Sequence, residues 1–313
     1  MSAPVRVALL FPGQGSQYLG MGRAVAAEFP DAADVFRQAD DVLGIALSRL
    51  MWEGPETELV RTENAQPAIL THSVAVMRAL CAQLGEVSMA AGHSLGEYSA
   101  HVAAETLSFE EALEVVRLRS ELMSAAGAMR AGSMAAVLGM ADEEVEALCE
   151  EASDVPGSIV VPANFNSLGQ VVISGDADAI ERMIALAPQF GAKKVVPLSV
   201  SGAFHSPLME PAEEGLEARL KLADFRAARF PVYCNVDARP VSDGEAARDR
   251  LVRQLTRPVR WAASIRAMVG EGANRFVELG PGNVLTGLNR RNARGIESLS
   301  VAEPNEIVAL GQG

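Results

Sequence analysis

The feature that most constrains the fold is Gly92-His93-Ser94-Leu95-Gly96-Glu97, which lies between an apolar run and a helical pattern. The run from Val87 to Ala91 is typical of a buried strand, and the stretch from Glu97 to Ala104 is typical of a helix. The pattern Gly-x-Ser-x-Gly sets a serine on a tight strand-to-helix turn with its hydroxyl exposed. The sequence therefore predicts an α/β fold with Ser94 as a candidate nucleophile. An ordinary Gly-Ser turn without chemistry would fit the same letters.

Length and composition favour one large domain, or a large domain with a smaller insertion. The 313 residues are 49% hydrophobic, which is enough for a sizeable core. Apolar stretches such as Val5 to Phe11 are much shorter than a bilayer span, and the N-terminus lacks the layout of an export signal, so we expect a soluble cytoplasmic protein. The net charge of -13 opposes non-specific binding to nucleic acid and to anionic membranes.

The cysteines and the first loop exclude several other kinds of site. Cys81, Cys149 and Cys234 are widely spaced, so we expect buried thiols rather than disulfides or a zinc site. The predicted first strand, Val5 to Phe11, runs into the polar, glycine-rich loop Pro12 to Gln17, at the sheet edge where ligands of α/β proteins bind. The glycine spacing in this loop differs from that of dinucleotide and phosphate loops, which argues against nucleotide binding.

Helix and strand patterns alternate along most of the chain. Helical patterns run from Met21 to Leu50 and from Gln66 to Leu84, with Pro67 expected in the first turn, and a capping box at Ser108 opens a helix through Met123. The later elements are a helix from Met209 to Leu220, a strand from Pro231 to Asn235, helices from Gly244 to Leu255 and from Ala262 to Gly270, a strand from Arg275 to Leu279, and a last helix after Gly280-Pro281-Gly282.

Residues 132–199 differ from the rest of the chain because they follow the order β-α-β-β-α-β. That order is typical of a ferredoxin-like module. We expect residues 132–199 to form a small domain inserted into a large domain of residues 1–131 and 200–313. The predicted elements are Ser133 to Gly139, Asp142 to Ala152, Ile159 to Phe165, Val171 to Ser174, Asp176 to Phe190 and Lys193 to Leu198.

One arginine lies on an apolar face. Arg119 shares a helix face with Ala112, Val116 and Met123, whereas Arg117 projects toward the polar side. A buried guanidinium is costly unless an acceptor meets it. The sequence leaves two interpretations open for Arg119, which are an internal salt bridge and an anionic substrate.

Elimination among the four histidines identifies a candidate general base. The side chain of His93 should point away from that of Ser94, and His101 lies about 10 Å along the following helix at ~1.5 Å per residue. His72 belongs to a helix and is interpreted as a structural histidine. His205, in a loop flanked by small residues, is left as the residue that could take the Ser94 proton.

Several motifs together resemble a known family, the malonyl-CoA:acyl carrier protein transacylases of fatty-acid synthesis, and the related acyltransferase domains of polyketide synthases. They occur in the order of the family and cover nearly the whole chain. They are Phe11–Gln17, Gly92–Glu97, Asn164–Ser167 with Gln170–Gly175, Gly202–Ser206, Val252–Leu255 with Pro258–Trp261, and Glu278–Gly282.

The resemblance implies a fold, a set of site residues and a reaction. The fold is an α/β-hydrolase-like large domain with an inserted ferredoxin-like small domain. Malonyl-CoA donates a malonyl group to a serine, and the thiol of acyl carrier protein takes it, with no cofactor or metal. For catalysis, the resemblance implies Ser94 as nucleophile, His205 as base, the backbone carbonyl of Gln254 as the group that orients the base, and the amides of Gln14 and Leu95 as oxyanion hole. For substrate binding, it implies Arg119 as anchor for the malonyl carboxylate, Asn164 and Asn166 in the cleft, and Phe204 as a sign of malonyl selectivity.

Carrier proteins are acidic, and so is this chain, so docking requires a local basic surface. One segment has the basic residues for such a surface, although an ordinary solvated helix face would have the same composition. The segment carries Arg248, Arg250, Arg253, Arg257 and Arg260 with only Asp249 among them, and Lys193 and Lys194 could extend it.

Three other functions remain open from the sequence. An acyltransferase that serves a polyketide synthase would have nearly the same sequence and would differ in acyl-CoA preference. A serine thioesterase or esterase would hydrolyse malonyl-CoA without carrier protein, and Arg119 on an apolar face would be unusual for it. A catalytically silent binding module would need none of the predicted site residues.

Overall fold

The computed structural model describes residues 5–80 and 84–311, and its larger sheet organises the chain. This sheet has six strands: β1 (Val7–Phe11), β2 (Val87–Gly92), β7 (Val232–Tyr233), β8 (Pro240–Val241), β9 (Arg275–Leu279) and β10 (Glu297–Val301). Their order across the sheet is β10-β9-β1-β2-β7-β8, and every neighbouring pair is parallel except β7 and β8. The central strand β1 is buried along its whole length, as its continuous apolar sequence requires.

Helices cover both faces of this sheet. The alternation along β1 decides which side chain enters which core, since Leu9 and Phe11 belong to the larger hydrophobic cluster and Ala8 and Leu10 to the opposite one. The helices are α1 (Arg23–Glu28), α2 (Pro30–Leu43), α3 (Leu47–Glu53), α4 (Glu56–Leu59), α5 (Thr62–Ala79), α6 (Gly96–Ala103), α7 (Phe109–Met129), α10 (Glu210–Leu222), α11 (Gly244–Gln254), α12 (Trp261–Gly270), α13 (Val284–Asn292) and α14 (Pro304–Leu310).

A second, antiparallel sheet of four strands lies within the predicted insertion. Its elements are β3 (Gly132–Leu138), α8 (Asp142–Ala152), β4 (Val160–Ser167), β5 (Gln170–Asp176), α9 (Ala177–Leu186), a 3-10 turn (Ala187–Phe190) and β6 (Lys194–Pro197). The strand order is β4-β5-β3-β6, which confirms the ferredoxin-like fold class.

The small sheet has a hydrophobic core of its own on the side of α8 and α9. Val145 of α8 and Ile180 of α9 pack there with Val137 of β3, while Met134 of the same strand belongs to the core of the large sheet. We propose that residues 132–199 form the small domain and that residues 1–131 and 200–313 form the large one. The separate core supports this division.

The helical patterns predicted from Met21 to Leu50 form three helices, because Pro30 starts a new one and Gly44 ends it in a left-handed conformation with φ of 63°. The helix predicted to start at Gln66 starts at Thr62, so Pro67 lies inside it. The carbonyl of Glu63, which Pro67 cannot bond, accepts a hydrogen bond from Arg117 Nη1 at 2.9 Å instead. The predicted end of this helix extends over residues 81–83, which lie outside the described residues.

The C-terminal elements were predicted incompletely. The helix after Gly282 is α13, but it is not the last element, because β10 and α14 follow it. β10 is an edge strand whose sequence, Glu-Ser-Leu-Ser-Val, is largely half-exposed. It therefore lacks the apolar run by which the other parallel strands were recognised.

Candidate active site

Ser94 lies on a sharp turn between β2 and α6, in the left-handed conformation with φ of 51°. The two flanking glycines are required because backbones touch at both of them. A Cβ on Gly92 would lie 1.9 Å from the carbonyl carbon of Gly96, and a Cβ on Gly96 would lie 2.1 Å from the carbonyl oxygen of Phe11. This packing holds the hydroxyl of Ser94 at the carboxyl edge of the central strands.

Asn235 fixes the same turn from the neighbouring strand. Its Oδ1 accepts a hydrogen bond from the amide of Ser94 at 2.7 Å, and its Nδ2 donates to the carbonyl of Gly92 at 2.7 Å. Sequence analysis did not assign a role to Asn235. Its position just after β7, at the edge where the other parallel strands end, is the signal that could have identified it.

His205 contacts the hydroxyl of Ser94. The distance from Ser94 Oγ to His205 Nε2 is 2.6 Å, and His205 Nδ1 lies 2.9 Å from the carbonyl oxygen of Gln254. Because a carbonyl only accepts, Nδ1 carries the proton and Nε2 is free to accept from the serine. Burial, with the nearby charge of Arg119, lowers the pKa of His205 to about 3, so its ring is neutral at pH 7.

All four histidines are described, and the other three have different surroundings. His93 Nε2 lies 2.8 Å from Asn166 Oδ1. His72 Nε2 lies 3.1 Å from the carbonyl oxygen of Ala302, which is the structural setting predicted for it. His101 is fully buried, and neither of its ring nitrogens has a hydrogen-bond partner in the described chain.

Arg119 is almost completely buried, with 1% of its surface exposed. Nη1 donates to Gln66 Oε1 at 2.5 Å, and Nη2 donates to Gln254 Oε1 at 3.0 Å and to Ser94 Oγ at 3.2 Å. Burial lowers its pKa from the usual value.

The internal salt bridge considered for Arg119 is not formed. Across residues 5–80 and 84–311, no carboxylate lies within 4.0 Å of its guanidinium, whereas Arg117 on the same helix pairs with Glu121 at 2.6 Å. The acceptors of Arg119 are neutral amides and a hydroxyl. The site therefore holds a buried cation that an anionic ligand could neutralise.

A cavity of about 440 Å³ opens onto Ser94 and His205. Gln14, Leu95, Asn164 and Phe204 line it, so the structure brings these predicted residues to the serine. Among the hydrogen bonds of the described residues, none is donated by the backbone amides of Gln14 and Leu95. Asn166 does not line this cavity, but its Oδ1 lies 2.8 Å from Nε2 of His93, which does.

Two further residues join the site and were missed from sequence. Gln66 lines the cavity and holds Arg119, and its Nε2 donates to Gln14 Oε1 at 3.3 Å. Glu97 Oε2 accepts a hydrogen bond from Gln254 Nε2 at 2.7 Å. A polar residue in a predicted core helix, such as Gln66 in α5, is the kind of signal that marks such a partner.

One buried group has the residue types of a metal site. The donor atoms of Glu97, His101 and Cys234 all lie within 4.8 Å of one another. All three are buried, and burial raises the pKa of the Cys234 thiol. We assign no metal to this group. Cys149 and Cys234 are buried free thiols, and Cys81 lies outside the described residues.

The basic segment predicted for docking divides into two parts. Arg248 lies within 4.0 Å of Glu245 and Asp249, and Arg250 pairs with Asp237 at 3.0 Å. Arg253, Arg257 and Arg260 are exposed, and none of them forms an ion pair with a described residue. Lys193 lies apart from them, beside Arg291 at a second cavity near β3.

The fold and the site define the class of protein in which an activated serine accepts an acyl group. Residues 8–309 match the family described as the acyl transferase domain, and the chain belongs to this family. This confirms the resemblance predicted from the motifs. In the described part of the chain, no helix has the length and apolar character that crossing a bilayer requires.

Similar proteins are found by comparison of sequence and of structure. A Bacillus subtilis protein named malonyl CoA-acyl carrier protein transacylase is 43% identical over 302 residues, which cover 96% of this chain and 95% of the relative. A protein of the same name from Escherichia coli K12 is 43% identical over 303 residues, which cover 96% of this chain and 97% of the relative. The crystal structure of an acyl carrier protein S-malonyltransferase from Vibrio cholerae has a TM-score of 0.93 at 40% identity, covering 97% of this chain and 99% of that chain. A malonyl-transacylase in complex with a type II PKS acyl-carrier protein has a TM-score of 0.93 at 41% identity, covering 98% and 99%.

Proposed function

We propose that this protein transfers malonyl groups from malonyl-CoA to the thiol of acyl carrier protein, through a malonyl ester on Ser94, for fatty-acid synthesis. One observation carries the proposal. Arg119 is a buried cation without a carboxylate partner among the described residues, and its Nη2 lies 3.2 Å from the Ser94 hydroxyl. An acyl group that carries its own carboxylate would complete this site. The names of the similar proteins agree with it.

In the first half-reaction, Ser94 Oγ attacks the thioester carbonyl of malonyl-CoA and gives its proton to His205 Nε2. The carbonyl of Gln254 holds Nδ1 of the ring and stabilises the imidazolium that forms. The amides of Gln14 and Leu95 donate to the tetrahedral oxyanion. The C–S bond then breaks, and His205 returns the proton to the departing sulfur of coenzyme A.

The second half-reaction repeats these steps with a different nucleophile. The carrier thiol gives its proton to His205, and its sulfur attacks the ester carbonyl. The bond from that carbon to Ser94 Oγ breaks, and the oxygen takes the proton back from His205. The reaction needs no other reactant, because one thioester is consumed and one is formed.

Arg119 and the cavity wall account for the choice of acyl group. A planar guanidinium can bind both oxygens of a carboxylate, which a lysine cannot do. We assign Arg119 to the malonyl carboxylate, Asn164 to the cleft beside it, and Phe204 to the wall that restricts branched units. Asn166 is assigned a supporting position, through its contact with His93.

For the carrier protein, we propose docking on the exposed cations Arg253, Arg257 and Arg260. Arg248 and Arg250 are partly neutralised by acids of this chain, so they are less suited to an acidic partner. A cytoplasmic location remains a prediction from the sequence.

A panel of acyl-CoAs assayed with and without carrier protein tests the proposal. We expect malonyl transfer that depends on carrier protein and greatly exceeds acetyl transfer. Release of many equivalents of coenzyme A per enzyme in the absence of carrier protein, together with no malonyl carrier when carrier protein is present, would contradict the proposal and favour a thioesterase. Faster transfer of a branched acyl group, or transfer to polyketide carriers alone, would favour a polyketide acyltransferase.

A further inference from the structure

We propose that Glu97 is a positioning residue that fixes the side-chain amide of Gln254 and, through it, the guanidinium of Arg119. Glu97 is fully buried in the first turn of α6, three residues after Ser94. It does not line the cavity of the site. The inference rests on the proposed function, because it concerns how the anchor for the malonyl carboxylate is held.

The amide of Gln254 has a defined partner on each side. Its Nε2 donates to Glu97 Oε2 at 2.7 Å and to the carbonyl of Ser94 at 2.9 Å, and its Oε1 accepts from Arg119 Nη2 at 3.0 Å. Turning the amide over would set its NH₂ against the guanidinium and its oxygen against two acceptors. The carboxylate on one side and the cation on the other therefore specify one orientation.

The backbone of Gln254 holds the general base, and its side chain holds the arginine. Its backbone carbonyl accepts from His205 Nδ1 at 2.9 Å, while its side chain holds Arg119. Glu97 Oε2 also accepts from the backbone amide of Asn235 at 3.1 Å, and Asn235 in turn holds the amide of Ser94. One carboxylate oxygen thus supports residues that hold the nucleophile, the base and the anion anchor.

Stability alone does not explain a carboxyl group at this position. Burial raises the pKa of Glu97 to about 7, and Oε1 has no hydrogen-bond partner among the described residues. A buried carboxylate with one unsatisfied oxygen costs free energy. The role requires only an acceptor at Oε2, and the protonated acid provides one when its proton is on Oε1.

The experiment compares Glu97→Met, Glu97→Gln and His101→Leu in the full chain, with kcat and KM for malonyl-CoA and acetyl-CoA. Glu97→Met removes the acceptor, so we expect kcat/KM for malonyl transfer to fall about tenfold or more, with a smaller fall for acetyl transfer. Glu97→Gln can place its amide oxygen where Oε2 lies, so it should stay within a few-fold of the unmodified protein. The matched control is His101→Leu, which lies on the same helix and in the same buried group. It should leave kcat/KM unchanged for both malonyl and acetyl transfer.

The malonyl-to-acetyl ratio distinguishes positioning from general destabilisation. Equal falls for both substrates in Glu97→Met, or no fall in a folded variant, would overturn the inference. Should Glu97→Met not fold, Glu97→Asp withdraws the carboxylate by about 1.5 Å, one C–C bond length, and the same selective loss is expected. If the unmodified protein transfers no malonyl group, the proposed function fails, which is a different result.

Discussion

At the scale of single residues, the site depends on how a buried cation is held without an acid. Arg119 donates hydrogen bonds to the amide oxygens of Gln66 and Gln254, and its Cζ lies 5.6 Å from the ring centroid of Tyr98. These contacts orient the guanidinium, and no carboxylate of the described residues lies within 4.0 Å of it. Binding of a carboxylate is therefore favourable in a way that binding of a neutral acyl group is not.

We predict that Arg119→Ala lowers kcat/KM for malonyl transfer on the order of 100-fold, because two charge-assisted hydrogen bonds are lost. Acetyl transfer should fall much less. The matched control is Arg117→Ala, on the same helix but paired with Glu121 at the surface, which should leave both rates nearly unchanged. Equal losses of malonyl and acetyl transfer in Arg119→Ala would remove this residue from the carboxylate role.

At the scale of elements, the turn between β2 and α6 determines where the hydroxyl of Ser94 lies. The turn combines a left-handed serine with two glycines whose α-carbons touch neighbouring backbone. A side chain at either glycine would have to move β1 or α6. The geometry of the nucleophile and the packing of the central strands therefore depend on the same contacts.

We predict that Gly96→Ala destabilises the protein strongly and abolishes formation of the acyl-enzyme, because its Cβ would lie 2.1 Å from the carbonyl oxygen of Phe11. The control is Gly287→Ala in α13, where an added Cβ meets no atom within 4 Å. That change should stabilise the protein by up to about 1 kcal/mol. Urea unfolding measures both. Similar stability of Gly96→Ala and the unmodified protein would show that the backbone contact is not limiting.

At the scale of the whole molecule, the site residues predicted from the sequence are those that have a local signal. The site residues that were missed reach the site only through contacts between distant parts of the chain. Ser94, His205 and Arg119 carry local signals, namely a turn motif, a loop histidine and a cation on an apolar face. Gln66 and Asn235 do not, because they meet the site across 53 and 141 residues of sequence. The strand β10 was missed for a related reason, since only its place beside β9 makes its polar sequence a strand.

Buried histidines also give the whole molecule a predicted pH dependence. Burial lowers the pKa of His72 to about 4 and that of His101 and His205 to about 3, against about 6.5 in the unfolded chain. Between these values the unfolded chain binds more protons, so the contribution of these residues to stability is complete above pH 6.5 and is lost as pH falls toward 3 to 4. Glu97, whose pKa is raised to about 7, opposes this trend, because its contribution is complete at low pH and is lost as pH rises through 7.

The pKa of His93 is also lowered by burial, and the pKa values of Asp142 and Glu278 are raised by burial. We therefore predict that the free energy of unfolding decreases between pH 6.5 and pH 4.5, because four histidines outweigh three carboxyl groups among the described residues. In His101→Leu the slope should be smaller by about 1.4 kcal/mol per pH unit, the effect of one proton. Urea unfolding at several pH values measures both slopes. Identical slopes in the two proteins would mean that His101 is not titrated on unfolding.

The central claim is that Ser94 carries the malonyl group between two thiols. Mass spectrometry of the intact protein after mixing with malonyl-CoA tests it most directly. We predict one malonyl adduct on Ser94, which disappears when carrier protein with its free thiol is added, and no adduct in Ser94→Ala. An adduct that persists in Ser94→Ala, or unmodified protein together with intact malonyl-CoA, would contradict the account.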